Sequence, residues 1–292
     1  MLERVDRMLL AVHDRARAVD TFVRLLGALP RGELTSTALA ARGTLLALGE
    51  SELELWEPVG PGLVAGRLER LGEGLLFAGY ATRRLDDLAH RLRTRGVAFE
   101  LADERLYLPA TSTFGFPMVI SPWAERTGAG PVGFFYEATN ALDTDWKVVA
   151  ARYADLFALD MRNFSPIASE RWGYAGTLTL FDPATRLDRI ELSQTFAGNA
   201  GAMRRFVERR GGDALYMCFA EARDFVALRD RLLAAGATLT ARGKDIANER
   251  DTIHVHPKNL HGMLLGISRP GFAWTWSGQP ARVPPHATTA PD

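Results

Sequence analysis

Residues 72–100 read G-E-G-L-L-F-A-G-Y-A-T-R-R-L-D-D-L-A-H-R-L-R-T-R-G-V-A-F-E, and residues 212–240 read G-D-A-L-Y-M-C-F-A-E-A-R-D-F-V-A-L-R-D-R-L-L-A-A-G-A-T-L-T. The two align without a gap. Leu85, Leu88 and Leu92 fall on Phe225, Leu228 and Leu232, and Gly96 falls on Gly236. Each stretch predicts a strand, then a helix with apolar residues at i, i+3 and i+7, then a glycine just past the helix end, then a second strand. The chain therefore contains an internal duplication of a β-α-β unit.

Two more segments look like openings of the same unit. One is V-D-R-M-L-L-A-V at residues 5–12, followed by a helix from about Arg15 to Leu26 and a terminating Gly27. The other is residues 133–138, followed by a helix from about Thr144 to Phe157. Strand-like stretches follow each opener, at 45–55, and at 173–180 with 189–192. The pattern predicts four copies of β-α-β-β-β, an α+β fold in two tandem halves. Residues 121–131, S-P-W-A-E-R-T-G-A-G-P, are rich in turn formers and set the boundary: 1–125 for the first half and 126–278 for the second. Residues 279–292 are rich in Pro, Ala and Thr and predict a disordered tail. A doubly wound parallel sheet is the rival fold, but neither glycine-rich phosphate-loop pattern is present.

Composition excludes several function classes. The 292 residues carry 35 Lys+Arg and 35 Asp+Glu, so nothing draws the chain to nucleic acid or an acidic membrane. The single cysteine, Cys218, rules out an internal disulfide and fits a reducing cytoplasm. No apolar run approaches a membrane span, and the start M-L-E-R-V-D-R has no signal-peptide core. The expected partner is a small-molecule ligand. Nucleic acid and membrane are not expected, and a homodimer is allowed.

Near the end, residues 252–265 read T-I-H-V-H-P-K-N-L-H-G-M-L-L. They predict a strand at 253–256, a turn at Pro257 and a strand at 263–267. This stretch resembles the closing hairpin of methylmalonyl-CoA epimerases, of the vicinal oxygen chelate (glyoxalase/bleomycin resistance/extradiol dioxygenase) superfamily. Residues 188–207, with the strand I-E-L at 190–192, resemble the same family. In the first half the resemblance rests on V-D-R-M-L-L-A-V and L-E-L-W-E-P. Four units in one chain is also the plan of extradiol ring-cleaving dioxygenases, which keep one iron in the second half. The resemblance implies two cavities, each with four strand positions from which the family ligates a metal.

In the first half those positions are Arg7, Glu54, Phe77 and Val119. In the second, the first lies near Tyr136 or Ala138, and the others are Glu191, Met217 and Gly266. A catalytic divalent ion needs about three protein ligands, and only the two glutamates survive. The expectation is two metal-free cavities and no cofactor.

Glu191 is the candidate general base, its pKa raised by burial. Tyr136, His254 and His256 are candidate acids or hydrogen-bond donors. Tyr216, Met217, Gly266 and Trp172 are expected to contact the ligand, with Arg7 and Glu54 in the other half. His254 and His256 share a strand face and could instead chelate a metal. Arg7 could hold an oxyanion or pair with Glu54 and close an abandoned cavity. The pair Trp274 and Trp276 could cap an apolar pocket or seal an edge. Cys218 reads as inert core. The preferred function is metal-independent proton transfer on a carbonyl or thioester compound, of isomerase, epimerase or lyase type. A non-catalytic sequestering protein and a dioxygenase-like enzyme with atypical ligands are the alternatives. The second half is expected to hold the working cavity, because Gly266 leaves room where a metal ligand would stand.

Overall fold

Each half of the chain builds one sheet of its own. In the first, β1 (Arg4–Ala11), α1 (Arg15–Leu26), β2 (Leu29–Ser36), β3 (Ala41–Leu48) and β4 (Ser51–Pro58) make one unit. After α2 (Leu63–Leu71), the strands β5 (Gly74–Thr82), β6 (Glu100–Ala102), β7 (Arg105–Leu108) and β8 (Met118–Pro122), with α3 (Leu85–Thr94), make the next. The second half repeats this with β9 (Val132–Leu142), α4 (Trp146–Phe157), β10 (Phe164–Ser169), β11 (Tyr174–Leu180) and β12 (Arg189–Thr195). Then come α5 (Ala202–Arg210), β13 (Ala214–Ala222), α6 (Phe225–Ala234), β14 (Leu239–Ala241), β15 (Thr252–Val255) and β16 (Leu265–Ser268). This computed structural model describes residues 1–241, 243 and 245–286.

The two curled sheets have eight strands each and the same order, β2-β3-β4-β1-β5-β8-β7-β6 and β10-β11-β12-β9-β13-β16-β15-β14. The four-unit α+β fold is therefore as the sequence predicts. The duplication holds at residue level. Gly96 and Gly236 end α3 and α6 with φ of 67° and 73°, and nothing lies within 4 Å of a Cβ built on either. The left-handed backbone, not crowding, is what asks for glycine there. Leu88, Leu92, Leu228 and Leu232 are fully buried beneath the two helices.

One apolar core runs through both halves between the helices and the helix-facing sides of the sheets, and it includes Val5, Met8, Leu10, Phe135 and Ala138. The opposite, concave side of each sheet has smaller clusters of its own. Backbone ties join the halves. Val5 N–H donates to Asp188 Oδ1 at 2.7 Å, Glu50 N–H to Gly133 O at 2.7 Å, and Phe135 N–H to Ser51 Oγ at 2.9 Å. Gly49 turns β3 into β4 at φ 67° so close to the second half that a Cβ would lie 1.9 Å from Gly133 O. The strand-like stretch at 45–55 is thus two strands split by this turn.

The expected disordered tail is corrected for residues 279–286. Residues 280–282 form a short 3-10 turn, with the Arg282 guanidinium 3.6 Å over Trp274 and donating to Ala184 O and Thr185 O at 2.8 Å. An arginine stacked on a buried tryptophan outweighs what the prolines withhold. The rest of that tail, 287–292, lies outside the described residues.

Candidate functional site

The site is set by a bulge in the opening strand of each half. In the first half Val5 pairs with Tyr80 and Arg7 with Gly79, leaving Asp6 as the extra residue. In the second, Phe135 pairs with Ala220 and Glu137 with Phe219, leaving Tyr136 as the extra one. A bulge puts two successive residues toward one side. Arg7 and Glu137 therefore stand at the same place, and the expected choice of Tyr136 or Ala138 is corrected to Glu137. Ala138 faces the helix-side core.

The other three positions fall where the sequence puts them. Leu9 pairs with Glu54 on β4 and Phe77 on β5, while Thr139 pairs with Glu191 on β12 and Met217 on β13. Val119 sits beside Gly79, and Gly266 beside Phe219.

The first concave face is closed by charge. Arg7 reaches Glu54 at 2.5 Å, Glu52 at 2.8 Å and Asp6 at 2.8 Å. Arg105 also meets Glu54, at 2.8 Å, and Trp56 Nε1–H donates to it at 3.0 Å. Phe77 packs edge-on against Tyr107 at 5.5 Å, and Val119 is fully buried. Arg7 thus pairs with Glu54 and is held ionised by three carboxylates. Both residues are bound up within the protein and free for no ligand.

The second concave face carries a different charge pattern. Glu137 and Arg189 are both 0% exposed and ion-paired at 2.6 Å. Arg189 also donates to Ser277 Oγ at 2.9 Å and lies 4.8 Å from the Tyr136 ring. Two residues on along β12, Glu191 keeps 7% of its surface exposed. Ser193 Oγ donates to it, and Thr139 Oγ1 approaches it at 3.4 Å. Burial, and then the charge of the neighbouring Glu137 carboxylate, push Glu191 well above the ordinary carboxylate range. That direction favours the protonated acid over the free base expected. Glu137 Oε1 is buried beside it with no hydrogen-bond partner.

Aromatic rings surround this pair. Phe219 stacks on Tyr136 at 5.9 Å and meets His254 edge-on at 5.4 Å. Its ring also covers Gly266, where a Cβ would lie 2.1 Å from it. The expected room at Gly266 is filled by Phe219, and Gly266 is corrected from a ligand contact to a seat for that ring. Tyr136 is fully buried with its hydroxyl 3.2 Å from Ser268 Oγ, so its role is in the wall. Trp172 is 41% exposed at the β10–β11 turn, 6.4 Å from His254. Tyr216 stacks on Phe206 of α5 at 4.8 Å, and burial with the nearby Glu191 raises its pKa. Met217 is buried in the wall beneath the same opening.

The two histidines do not converge. His254 is half-buried in the ring cluster, and burial lowers its pKa, so the ring is neutral. His256 lies one residue past β15, exposed, its Nδ1 accepting from Lys258 N–H at 3.2 Å to cap a 3-10 turn. Among the described residues no group of three or more His, Cys, Asp or Glu could hold a metal ion. The superfamily's metal does not fit the sets present. Arg7, Glu54, Phe77 and Val119 offer one carboxylate, already held by two arginines. Glu137, Glu191, Met217 and Gly266 offer two, one bound to Arg189, with Phe219 over the last position. Cys218 is fully buried, with burial raising its thiol pKa, and is inert core. Trp274 is buried, and Trp276 packs 6.5 Å from Phe219.

Residues 6–112 match the family model of the Glyoxalase/Bleomycin resistance protein/Dioxygenase superfamily. Over 92% of its length the chain superposes on 93% of 4-hydroxymandelate synthase from Streptomyces coelicolor (a triple mutant), with a TM-score of 0.72 and 16% identity. A xylose isomerase-like TIM barrel/4-hydroxyphenylpyruvate dioxygenase fusion protein matches 92% of the chain with 49% of its own, at TM-score 0.63 and 13% identity. Methylmalonyl-CoA epimerase of Streptomyces coelicolor matches 42% of the chain with 99% of its own, at TM-score 0.39 and 23% identity. No curated protein sequence matches. The first half thus matches that superfamily's model, and the chain as a whole shares its fold with 4-hydroxymandelate synthase. Among the described residues, no helix is long and apolar enough to cross a membrane.

Proposed function

We propose that the second half carries the activity and that the protein is a small-molecule enzyme moving a proton at carbon beside a carbonyl or thioester. The observation that supports this is the carboxyl pair Glu137–Glu191. One member is bound to Arg189, and the other, 7% exposed, is pushed toward its protonated form. Two titratable groups driven to opposite departures from their usual values define an acid and a base. Burial raises Glu191 and lowers His254, so each is pushed toward its neutral form. His254 takes the proton from carbon. The Glu191 proton meets the carbonyl oxygen as the enolate forms, and return of a proton to carbon completes an isomerisation or epimerisation. Arg189 and Glu137 hold Glu191 in place and touch no substrate.

The test is solvent deuterium exchange, followed by proton NMR, with a panel of α-branched ketones, keto acids and acyl thioesters. Exchange by the wild-type protein that falls about a hundredfold in Glu191→Gln supports the reading. No exchange with any compound, or equal exchange in the variant, sinks it. A non-catalytic binder is the second reading, favoured by the exposed Trp172 and the ring pairs Phe206–Tyr216 and Phe219–Trp276 of the second half. It calls for ligand binding without exchange, unchanged in Glu191→Gln.

A further inference from the structure

Four arginines gather where the halves join, and no carboxylate answers them. Arg67 and Arg70 lie on α2, and Arg209 and Arg210 end α5. The two helices hold equivalent places, each preceding the strand that opens its half's second unit. Among the described residues none of the four makes an ion pair. Three acids along the same stretches are committed elsewhere, Glu73 to His261 at 2.8 Å, Glu208 to Arg204 at 2.8 Å and Asp213 to Thr144 Oγ1 at 2.6 Å, while Glu69 of α2 is exposed and pairs with none of the four.

Arg67 is only 9% exposed. Its Nη1 donates to Gly72 O at 2.5 Å, and its Nη2 lies against Gly74, where a Cβ would be 2.8 Å away. Arg210 lies 5.0 Å over the Phe206 ring, and its Nη1 is buried without a hydrogen-bond partner. Burial, then Arg210 and Arg70, push the Arg67 guanidinium down to about 10, while burial and Arg209 lower Arg210. The dipole at a helix C-terminus welcomes one exposed cation, as at Arg70 and Arg209. It does not explain a largely buried arginine facing others of like charge.

We propose that this seam binds a phosphate-bearing small molecule, with Arg67 and Arg210 gripping a phosphoryl group and Arg70 and Arg209 balancing its remaining charge. A guanidinium fork matches phosphate oxygens two at a time, and a dianion removes the repulsion the four arginines impose on one another. The site is separate from the proton-transfer chemistry and stands or falls without it.

The experiment is calorimetric titration of the full chain with inorganic diphosphate at constant ionic strength. One diphosphate should bind per chain, and Arg210→Gln should weaken it about tenfold or more. Arg70→Gln should weaken it less. Arg67→Gln should abolish it, and thermal denaturation checks that this buried variant folds; if it does not, half-exposed Arg210 decides alone. No heat at millimolar diphosphate, or Arg210→Gln binding as tightly as wild type, overturns the proposal. So does a single-stranded oligonucleotide that binds equally well, because the seam would then be a general polyanion surface.

Discussion

Arg7 and Glu137 occupy the same register position in the two halves, each one residue past a bulge, and carry opposite charge. Their partners differ accordingly: Glu52 and Glu54 around Arg7, Arg189 and Glu191 around Glu137. In the first half the cation sits between acids and every acid is answered. In the second, one arginine pairs with one of two carboxyls, and the other is pushed toward its protonated form. The duplicated strands thus give one closed face and one with an acid to spare.

Neither set of four strand positions offers enough donors for a divalent ion. Protein purified without chelator should therefore carry far less than one Zn, Fe, Mn, Co or Ni per chain, and Glu191→Gln should not change what is found. Elemental analysis checks this; a stoichiometric metal lost on mutating Glu191 would be the contrary result.

Gly266 and Phe219 should be energetically coupled. Gly266→Ala drives a methyl into the Phe219 ring and should cost roughly 1–3 kcal/mol, as overpacking does. Adding Phe219→Leu should recover part of that loss, giving a non-additive double-mutant cycle in urea denaturation. Additive effects would mean the ring does not hold that space.

Stability should change with pH in two opposite windows. Glu191 and Asp188 are raised by burial, Asp188 to about 6. Groups raised in the folded state contribute fully below their ordinary values, here 4.5 and 3.8, and lose that contribution as pH climbs to the folded value. Asp6 is opposed by burial but held down by Arg7, Arg126 and Arg4, so its contribution is present above 3.8 and lost as pH falls. Stability from urea midpoints should fall between pH 4 and pH 6 less steeply in Asp188→Asn than in wild type. An unchanged slope would remove Asp188 from the account.

The repeat at 72–100 and 212–240 made the fold legible, because helix periodicity and a left-handed glycine leave plain marks. The strands β2 and β10 left none. Both are sheet edges, and β2 is largely exposed and includes Pro30 and Gly32, so neither alternates like a buried strand. Three of the four strand positions that the resemblance implies in the second half, Glu191, Met217 and Gly266, lie on the neighbouring strands β12, β13 and β16. Glu137 was missed because a bulge shifts the facing side by one residue. Laying V-D-R-M-L-L-A-V over F-Y-E-A-T-N-A-L would have set Arg7 on Glu137, with Ala11 on Ala141 as the anchor. Phe219 over Gly266 could not be read, since it depends on where one ring turns across two strands.

The two surviving glutamates should part company when each is changed to glutamine. Glu54 is fully buried between Arg7 and Arg105, so Glu54→Gln removes one of the three carboxylates around Arg7 and the ion-pair partner of Arg105. Losing one member of a buried cluster costs about 3 kcal/mol, and ligand binding should be untouched in what remains folded. Glu191 is pushed toward its protonated form, and glutamine copies the shape of that form. Glu191→Gln should therefore stay within about 1 kcal/mol of wild type, as volume-conserving changes do. It should still lose about a hundredfold in proton exchange, because an amide has no proton to give. Urea denaturation and deuterium exchange on both variants make the comparison. If Glu54→Gln abolishes exchange while Glu191→Gln keeps it, the working half is the first, and the closed network around Arg7 is the site.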